Sequence, residues 1–375
     1  MKVLIVSLAY VPFIGGAEVA IKEITDQISD IDFDMITVNL DGKQPDVQRV
    51  GNINVYRVGR GLLGKYAFPF AGFKKAKQLY REKKYDVVWA MMANQAGLVA
   101  LRLKNRFPEV KYLLTLQEGD SLKRIWSRTW FMRQQYKNIY LKADRIQAIS
   151  KFLGSRAKKY GYQGEIDIVP NGVAIENFSK DFSKEELNQL KDELGITPQD
   201  KVIITTSRLV YKNGLDTLIS SVKDLPVKLF ILGSGPLESK LRALAQELGA
   251  KDRVLFLGHK DHSEMVKYLK ISDVFIRPSR SEGLGASFIE AMGAGVPVIA
   301  TKIGGIPEFL TDGQTGLFCE VDNPRDLADK IQKLISDSEL RNKIIQNSRL
   351  MVAENYNWDQ IAGRMKTIFN NLKTV

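Results

Sequence analysis

Short runs of β-branched and other apolar residues alternate with helix-like stretches along the chain, and this alternation limits the folds available to it. In the first half the runs occupy residues 3–8, 35–40, 53–58, 87–92, 112–116, 145–149 and 166–169. Such alternation is typical of βαβ units, in which parallel strands form a sheet with helices on both faces. The first half therefore predicts a doubly wound α/β domain.

The same alternation returns in the second half, at residues 202–206, 228–232, 254–257, 274–276 and 298–300. A single hydrophobic core stops growing near ~250–300 residues, so a chain of 375 residues predicts two domains. We place them at residues 1–180 and 181–356, two Rossmann-like parallel sheets facing each other across a cleft. The amphipathic C-terminal helix at residues 357–375 can pack on either domain.

Charge is distributed unevenly between the two halves. Residues 1–180 hold 29 Lys and Arg against 17 Asp and Glu, whereas residues 181–375 hold 26 of each kind. An excess confined to one domain predicts an anionic partner for that domain. The single cysteine, Cys319, requires no oxidising compartment, and no run reaches the ~18 apolar residues of a membrane span. We therefore expect a cytoplasmic protein.

The strongest local motif runs from Glu282 to Glu290, directly after the strand that ends at Arg277. Gly283, Leu284 and Gly285 leave backbone N–H groups unshielded, and a helix that starts here presents its positive end to an anion. Glu290 follows Glu282 by eight residues, about two helical turns, which predicts that both carboxylates share one face. Unpaired carboxylates are costly in such an apolar segment, so we favour a ligand site over two solvated glutamates.

Two further loops carry candidate binding residues. Arg208 and Lys212 follow the first strand of the second domain, where ligands of open α/β sheets bind and where two cations can clamp a diphosphate. Gly15 and Gly16 lie between the first strand and the first helix, where their amides can approach a phosphate or a sugar. Read alone, each loop is also compatible with an ordinary surface turn.

Together these motifs resemble those of the family-four retaining glycosyltransferases of the GT-B fold. The resemblance spans nearly the whole chain and includes, besides the residues above, segments 148–150, 169–173, 232–236, 278–279 and 293–306. It implies that Arg208 and Lys212 hold a donor diphosphate and that Glu290 binds the ribose. It also implies that Glu282 contacts the transferred sugar, that amides near Gly283 to Gly285 contact the donor, and that the Gly16 loop closes over it.

One segment departs from the family pattern. Where these enzymes commonly carry a His-Gly pair after the fifth strand, this chain reads Gln117-Glu118, followed by Asp120, which fits the pattern. Gln donates a hydrogen bond but does not titrate. We keep Gln117 and Asp120 as candidate substrate-binding residues, with the acceptor end of the site open.

The resemblance implies transfer of a sugar from a UDP- or GDP-linked donor with retention of configuration, without an obligatory metal or other cofactor. The acceptor is expected to be a glycan or a lipid-linked molecule. Two alternatives stay open: a nucleotide-sugar epimerase of the same architecture, and a nucleic-acid-binding protein suggested by the isoelectric point of about 9.4. The second is disfavoured because no recognised nucleic-acid motif is present, and we expect no nucleic-acid partner.

Two basic blocks of the first domain predict docking on an anionic membrane, at the inner face of the cell membrane. The first block lies on a helix-like stretch from Lys74 to Lys84, and the second interleaves cations with Trp and Phe from Lys123 to Arg133. Basic amphipathic segments with interfacial aromatics lie in the headgroup plane. Equally, the aromatic residues can pack in the core while the cations remain solvated.

Overall fold

The computed structural model describes residues 1–13, 15–120, 127, 132–178 and 182–374. The chain forms two compact units: residues 1–172 with the C-terminal segment 358–375, and residues 173–357. The division thus falls at Gly172 and Val173, not near residue 180. A physical reason is that the amide of Val173 donates to the carbonyl oxygen of Tyr356, which ties Val173 to the end of the second unit.

Unit 1 contains an eight-stranded sheet of order β3-β4-β2-β1-β5-β6-β7-β8. Its strands are β1 (Lys2–Val6), β2 (Asp32–Asn39), β3 (Val47–Val50), β4 (Ile53–Arg60), β5 (Val87–Met91), β6 (Lys111–Leu116), β7 (Arg145–Ala148) and β8 (Ile166–Ile168). Its helices are α1 (Gly16–Asp26), α2 (Gly61–Lys83), α3 (Gln95–Arg106), α4 (Arg133–Leu141) and α5 (Lys151–Lys159). All pairs are parallel except β3 with β4. The short, exposed β3 was not predicted, because an edge strand that faces solvent has no apolar pattern.

Unit 2 contains a six-stranded parallel sheet of order β11-β10-β9-β12-β13-β14. Its strands are β9 (Lys201–Thr206), β10 (Val227–Leu232), β11 (Val254–Gly258), β12 (Val274–Arg277), β13 (Val298–Thr301) and β14 (Leu317–Cys319). Its helices are α6 (Ile175–Phe178), α7 (Lys184–Glu193), α8 (Leu215–Ser221), α9 (Glu238–Glu247), α10 (His262–Lys270), α11 (Ala286–Gly293), α12 (Pro324–Ser336) and α13 (Ser338–Asn355). The prediction of two α/β units with parallel sheets is confirmed.

The last helix, α14 (Trp358–Thr374), belongs to unit 1. The ring of its Phe369 is fully buried and packs edge-on against Phe33 and Trp89, with centroids 6.1 and 5.3 Å away. Lys366 forms an ion pair of 2.9 Å with Asp30. The C-terminal helix thereby fills the core beneath β2 and β5. Within the described residues, none of the helices has the length and hydropathy needed to cross a bilayer.

Candidate active site

The strand order of unit 2 decides which of its loops meet. From β9 the chain continues to β10 and β11 on one side of the sheet, and from β12 it continues to β13 and β14 on the other side. The loops that follow the neighbouring strands β9 and β12 therefore lie at the point where the strand order reverses. In open α/β sheets this point, at the carboxyl ends of the strands, is where ligands bind. The loop after β9 carries Arg208 and Lys212, and the loop after β12 carries Glu282.

The two cations predicted to meet a diphosphate have no partner within the described part of the chain. Arg208 is exposed and Lys212 is partly buried, and neither side chain makes a hydrogen bond or ion pair with another described residue. Arg277 and Arg280 of the neighbouring loop, by contrast, are paired with carboxylates. The backbone of the loop that carries Arg208 and Lys212 is nevertheless fixed, since the side chain of Asn213 donates to the carbonyl oxygen of Arg208 at 2.7 Å.

Arg280 holds the two loops together. Its amide donates to the carbonyl oxygen of Lys212 at 2.7 Å, and its guanidinium donates to the carbonyl oxygen of Tyr211 at 2.7 Å. The same guanidinium forms two hydrogen bonds to the carboxylate of Asp216, at 2.9 and 2.7 Å, and this pairing lowers the pKa of Asp216 although partial burial acts against it. Gly214 allows the two loops to approach closely. It has a φ of 67°, and a side chain at this position would collide with the carbonyl oxygen of Pro278.

Glu282 is held by a partner that the sequence did not reveal. Its Oε2 lies 2.5 Å from the guanidinium of Arg277, and its Oε1 accepts the amide of Gly283 at 2.9 Å. Arg277 also donates to the hydroxyl of Ser287 at 2.7 Å and lies over the ring of Phe288. Both charged side chains are largely buried, with exposed fractions of 9% for Arg277 and 14% for Glu282. The carboxylate therefore has a fixed position and a compensated charge.

The expectation that Glu282 and Glu290 share one helical face is wrong, because α11 begins only at Ala286 and Glu282 lies in the preceding loop. Glu290 lies in the second turn of α11 and is partly buried. The helix is anchored on its other side by Phe288 and Ile289, both fully buried. The two carboxylates are thus positioned by different elements.

The loop that leads into α11 presents backbone amides without a partner among the described residues. The amide of Gly283 is occupied by Glu282, contrary to the expectation that it is free, but those of Leu284 and Gly285 donate no hydrogen bond within the described residues. Gly285 has a φ of 103°, a conformation that other residues rarely adopt. The side chain of Leu284 is buried, so only its backbone can meet a ligand. The helix terminus adds its partial positive charge at this point.

In unit 1 the structure joins Gly16 and Gln117 through Asn171. The side-chain amides of Gln117 and Asn171 exchange two hydrogen bonds, each of 3.1 Å, and Asn171 also donates to the carbonyl oxygen of Gly16 at 3.4 Å. Gly15, exposed like Gly16, is the N-cap residue of α1. Asn171 is 7% exposed, and its part in this group was not predicted. The loops after β1, β6 and β8 therefore meet at one edge of the sheet.

Glu118, which departs from the family pattern, is a partly buried carboxylate that supports this group. It accepts hydrogen bonds from the amide of Ala93 and, at 3.1 Å, from the amide of Gln117. Burial raises its pKa, and the opposing effects of Arg156 and of the amides are smaller. Arg156 in turn donates to the carbonyl oxygen of Asp120 at 2.9 Å, which fixes the backbone of that candidate residue.

Comparison with known proteins decides the family. The model of the glycosyl transferases group 1 matches residues 187–351, and that of glycosyltransferase family 4 matches residues 14–177. The chain is a group 1 glycosyltransferase. It is an enzyme that uses a nucleotide sugar, as the resemblance implied, and nothing in these comparisons supports an epimerase.

Relatives of this glycosyltransferase match it over most of their length. An uncharacterized glycosyltransferase of Methanocaldococcus jannaschii is 26% identical over 99% of both chains. A GDP-mannose-dependent monoacylated α-(1-6)-phosphatidylinositol monomannoside mannosyltransferase of Corynebacterium glutamicum is 29% identical over 78% of both. Among solved structures, sucrose-phosphate synthase of Thermosynechococcus elongatus has a TM-score of 0.86 at 21% identity, over 99% of this chain and 98% of that one. This likeness confirms the GT-B fold.

The structure describes one of the two basic blocks of the glycosyltransferase in full and very little of the other. Block Lys123 to Arg133 lies almost entirely outside the described residues. In block Lys74 to Lys84, Lys83 forms an ion pair of 2.6 Å with Asp34, and Lys75 and Lys84 lie over the rings of Tyr56 and Tyr80. Several cations of this block therefore have partners inside unit 1, while Lys74 and Arg81 are exposed.

A cavity of about 560 Å³ lies at the opposite, amino edge of the sheet in the glycosyltransferase's unit 2. It is lined by charged residues that are largely paired, such as Lys201 with Asp273 at 3.2 Å and Asp200 with Lys228 at 3.3 Å. None of the candidate site residues lines it. The cavity and the candidate residues that follow β9 and β12 therefore lie at opposite edges of the unit 2 sheet. Within the described residues, no group of three or more His, Cys, Asp or Glu side chains is arranged to hold a metal ion.

Proposed function

We propose that this enzyme binds the diphosphate of its nucleotide-sugar donor at the carboxyl edge of the unit 2 sheet and transfers the sugar with retention of configuration. One observation carries the proposal. Within the described residues, Arg208, Lys212 and the amides of Leu284 and Gly285 are donors without partners, and they lie on two loops that Arg280 and Gly214 hold together. A diphosphate is an anion that such donors suit, and Arg can bind it through two parallel hydrogen bonds.

The chemistry needs no nucleophile from the protein. The bond between the anomeric carbon and the phosphate oxygen breaks, and the nucleoside diphosphate leaves with the electron pair. A hydroxyl of the acceptor attacks the anomeric carbon from the same face and passes its proton to the departing diphosphate oxygen. Negative charge grows on the leaving diphosphate, where preorganised donors lower the barrier. We assign this stabilisation to Arg208, Lys212 and the start of α11.

The two glutamates act at the other end of the donor. Glu282, fixed by Arg277 and the amide of Gly283, is assigned to the transferred sugar, and Glu290 to the hydroxyls of the ribose. A carboxylate held by an ion pair keeps its position while bonds change, which is what a sugar contact in the transition state requires.

Donor binding is tested by thermal shift across a panel of uridine and guanosine diphosphate sugars. A bound ligand raises the melting temperature of the folded state, so one base should stabilise the wild type, while Arg208→Ala should not respond. The GDP-mannose dependence of the corynebacterial relative makes guanosine donors the first to examine. The absence of any response to either series contradicts the proposal. The anomeric configuration of the product, read by NMR, tests retention.

We further propose that the acceptor is lipid-linked or lies close to the inner face of the cell membrane. Residues 51–160 of unit 1 carry 24 Lys and Arg against 6 Asp and Glu, a balance that suits an anionic acceptor or surface. The corynebacterial relative is named for a phosphatidylinositol mannoside, which is a lipid. Transfer of labelled sugar into a lipid extract tests this proposal, and label found only in water-soluble products contradicts it.

A further inference from the structure

The first three turns of α2 expose four large apolar side chains. Leu62, Leu63, Tyr66 and Phe70 have exposed fractions of 72%, 84%, 73% and 69%. Eleven large apolar residues are exposed among those the structure describes, and these four lie within nine positions. Single exposed apolar residues are ordinary, whereas a cluster marks an interaction surface. We call these four residues the apolar stripe.

The stripe is not the core-facing side of α2. That side is formed by Phe68, Pro69, Gly72 and Ala76, which are buried where the helix packs on β2, β4 and α3. Leu62, Tyr66 and Phe70 are spaced by four residues and therefore form one row along the helix. The helix consequently has a second apolar row that the described residues of unit 1 leave uncovered.

Cations surround the stripe. Arg60, just before α2, lies 3.8 Å from the carboxylate of Asp46 but keeps a side chain that is 69% exposed, and Lys74 is exposed one turn after Phe70. The guanidinium of Arg102 lies 4.3 Å from the centre of the Phe70 ring and donates to the carbonyl oxygen of Pro69 at 2.6 Å. A second copy of the chain would bring the same positive charge to this surface, so the charge favours an anionic partner over self-association.

The stripe also begins at the functional edge of unit 1. Strand β4 ends at Arg60 and α2 starts at Gly61, so Leu62 and Leu63 lie at the carboxyl edge of the sheet. Gly16 and Gln117 follow β1 and β6 at the same edge. A surface bound to the stripe would therefore lie at the same edge of the sheet as Gly16 and Gln117, the candidate substrate-binding residues of unit 1.

We propose that the apolar stripe inserts into the headgroup region of an anionic bilayer and that the flanking cations bind its lipid phosphates. Aliphatic and aromatic side chains framed by Arg and Lys are what an interfacial helix presents to such a surface. Exposed leucines contribute nothing to binding a nucleic acid, whose backbone is polar. The inference rests on the proposed function only for the idea that the acceptor lies at a membrane. Docking itself requires no nucleotide sugar.

The test is flotation of the full chain with vesicles of phosphatidylcholine alone or mixed with an equal share of phosphatidylglycerol. The wild type should float with the mixed vesicles and less so at high salt. Leu62→Ser/Leu63→Ser should reduce the partition coefficient about tenfold or more. Leu350→Ser, which replaces a leucine that is 61% exposed on α13, is the matched control and should float like the wild type.

Three further results decide the proposal. Equal flotation of the wild type and the double variant would overturn it. Loss of a concentration-dependent dimer in the double variant, without vesicle binding by the wild type, would assign the stripe to a second copy and also overturn it. The variants should keep the melting temperature of the wild type, because all the replaced side chains are exposed.

Donor hydrolysis without vesicles separates this proposal from the proposed function. The double variant should hydrolyse its nucleotide sugar at the wild-type rate, which supports docking as the only role of the stripe. A chain that floats but binds no nucleotide sugar refutes the proposed function and leaves docking intact. A chain that binds the donor but never floats refutes docking alone.

Discussion

The guanidinium of Arg277 and the carboxylate of Glu282, five residues apart, form an ion pair of 2.5 Å at the carboxyl end of β12. Because both side chains are largely buried, neither charge is compensated by solvent when its partner is removed. The pair therefore links the end of the strand to the loop that precedes α11. It also explains how a glutamate outside any helix keeps a defined position.

Arg277→Met should destabilise unit 2 by roughly 3–5 kcal/mol, because it leaves Glu282 buried without a counter-charge. Arg277→Met/Glu282→Gln should recover much of that loss, since the uncompensated charge is gone. Urea denaturation of the two variants measures both free energies of unfolding. Equal destabilisation by the single and double variants would mean that the ion pair is not what the arginine supplies.

Arg208→Ala and Lys212→Ala should leave the free energy of unfolding nearly unchanged while removing most transferase activity. Neither side chain has a partner in the described structure, and each is assigned to the diphosphate. Losing a hydrogen bond to a charged group costs about 1.5–3 kcal/mol, which corresponds to roughly tenfold or more in kcat/KM. Lys251→Ala, an exposed lysine of the same unit, is the control. Normal kinetics in a folded double variant would refute the donor site.

Replacement of the two glutamates should separate binding from turnover. Glu290→Gln should mainly raise the KM for the donor, because the ribose is bound equally in the ground and transition states. Glu282→Gln should mainly lower kcat, since its contact is assigned to the sugar as the bond breaks. Steady-state kinetics with varied donor concentration distinguishes the two. If both variants lose only stability, the glutamates are structural.

The dependence of stability on pH should report the partly buried Glu118. Its pKa is raised in the folded state by burial, so the folded protein holds this proton more tightly than the unfolded chain does. The contribution of Glu118 is therefore most favourable below its ordinary pKa and is lost as the pH rises through the raised value. Denaturation of the wild type and Glu118→Gln from about pH 4 to about pH 7 should show the variant gaining relative stability. A constant difference would contradict the assignment.

Chelation should not abolish transfer. Stabilisation of the negative charge on the leaving diphosphate is assigned to Arg208, Lys212 and the start of α11, and the proposed mechanism includes no resident metal. Activity after dialysis against a chelator should remain close to that of the untreated enzyme. Full loss, restored by adding a divalent cation, would show that the mechanism omits a metal.

The positions of the main loops could be predicted because they follow from the order of strands along the chain. Runs such as residues 202–206 mark buried parallel strands, and binding residues follow their carboxyl ends. Partners from distant segments could not be predicted in this way. Gln117 and Asn171 are 54 residues apart, and no local pattern joins them.

The partner of Glu282 was missed for a different reason. Arg277 ends a buried strand, where a charged residue gives no sign of the partner it will find. The exposed apolar row of α2 could not be predicted either, because the apolar residues of a helix are generally expected to face the core. Burial distinguishes these cases, and burial is a property of the tertiary structure.

The placement of α14 sets an order for the biosynthesis of this enzyme. Residues 173–357 are contiguous and can fold as soon as the ribosome has released them, whereas unit 1 has to wait for residues 358–374. Until Phe369 arrives, the faces of Phe33 and Trp89 that it covers stay open to solvent. The first half of the chain to be translated is therefore the last to be completed.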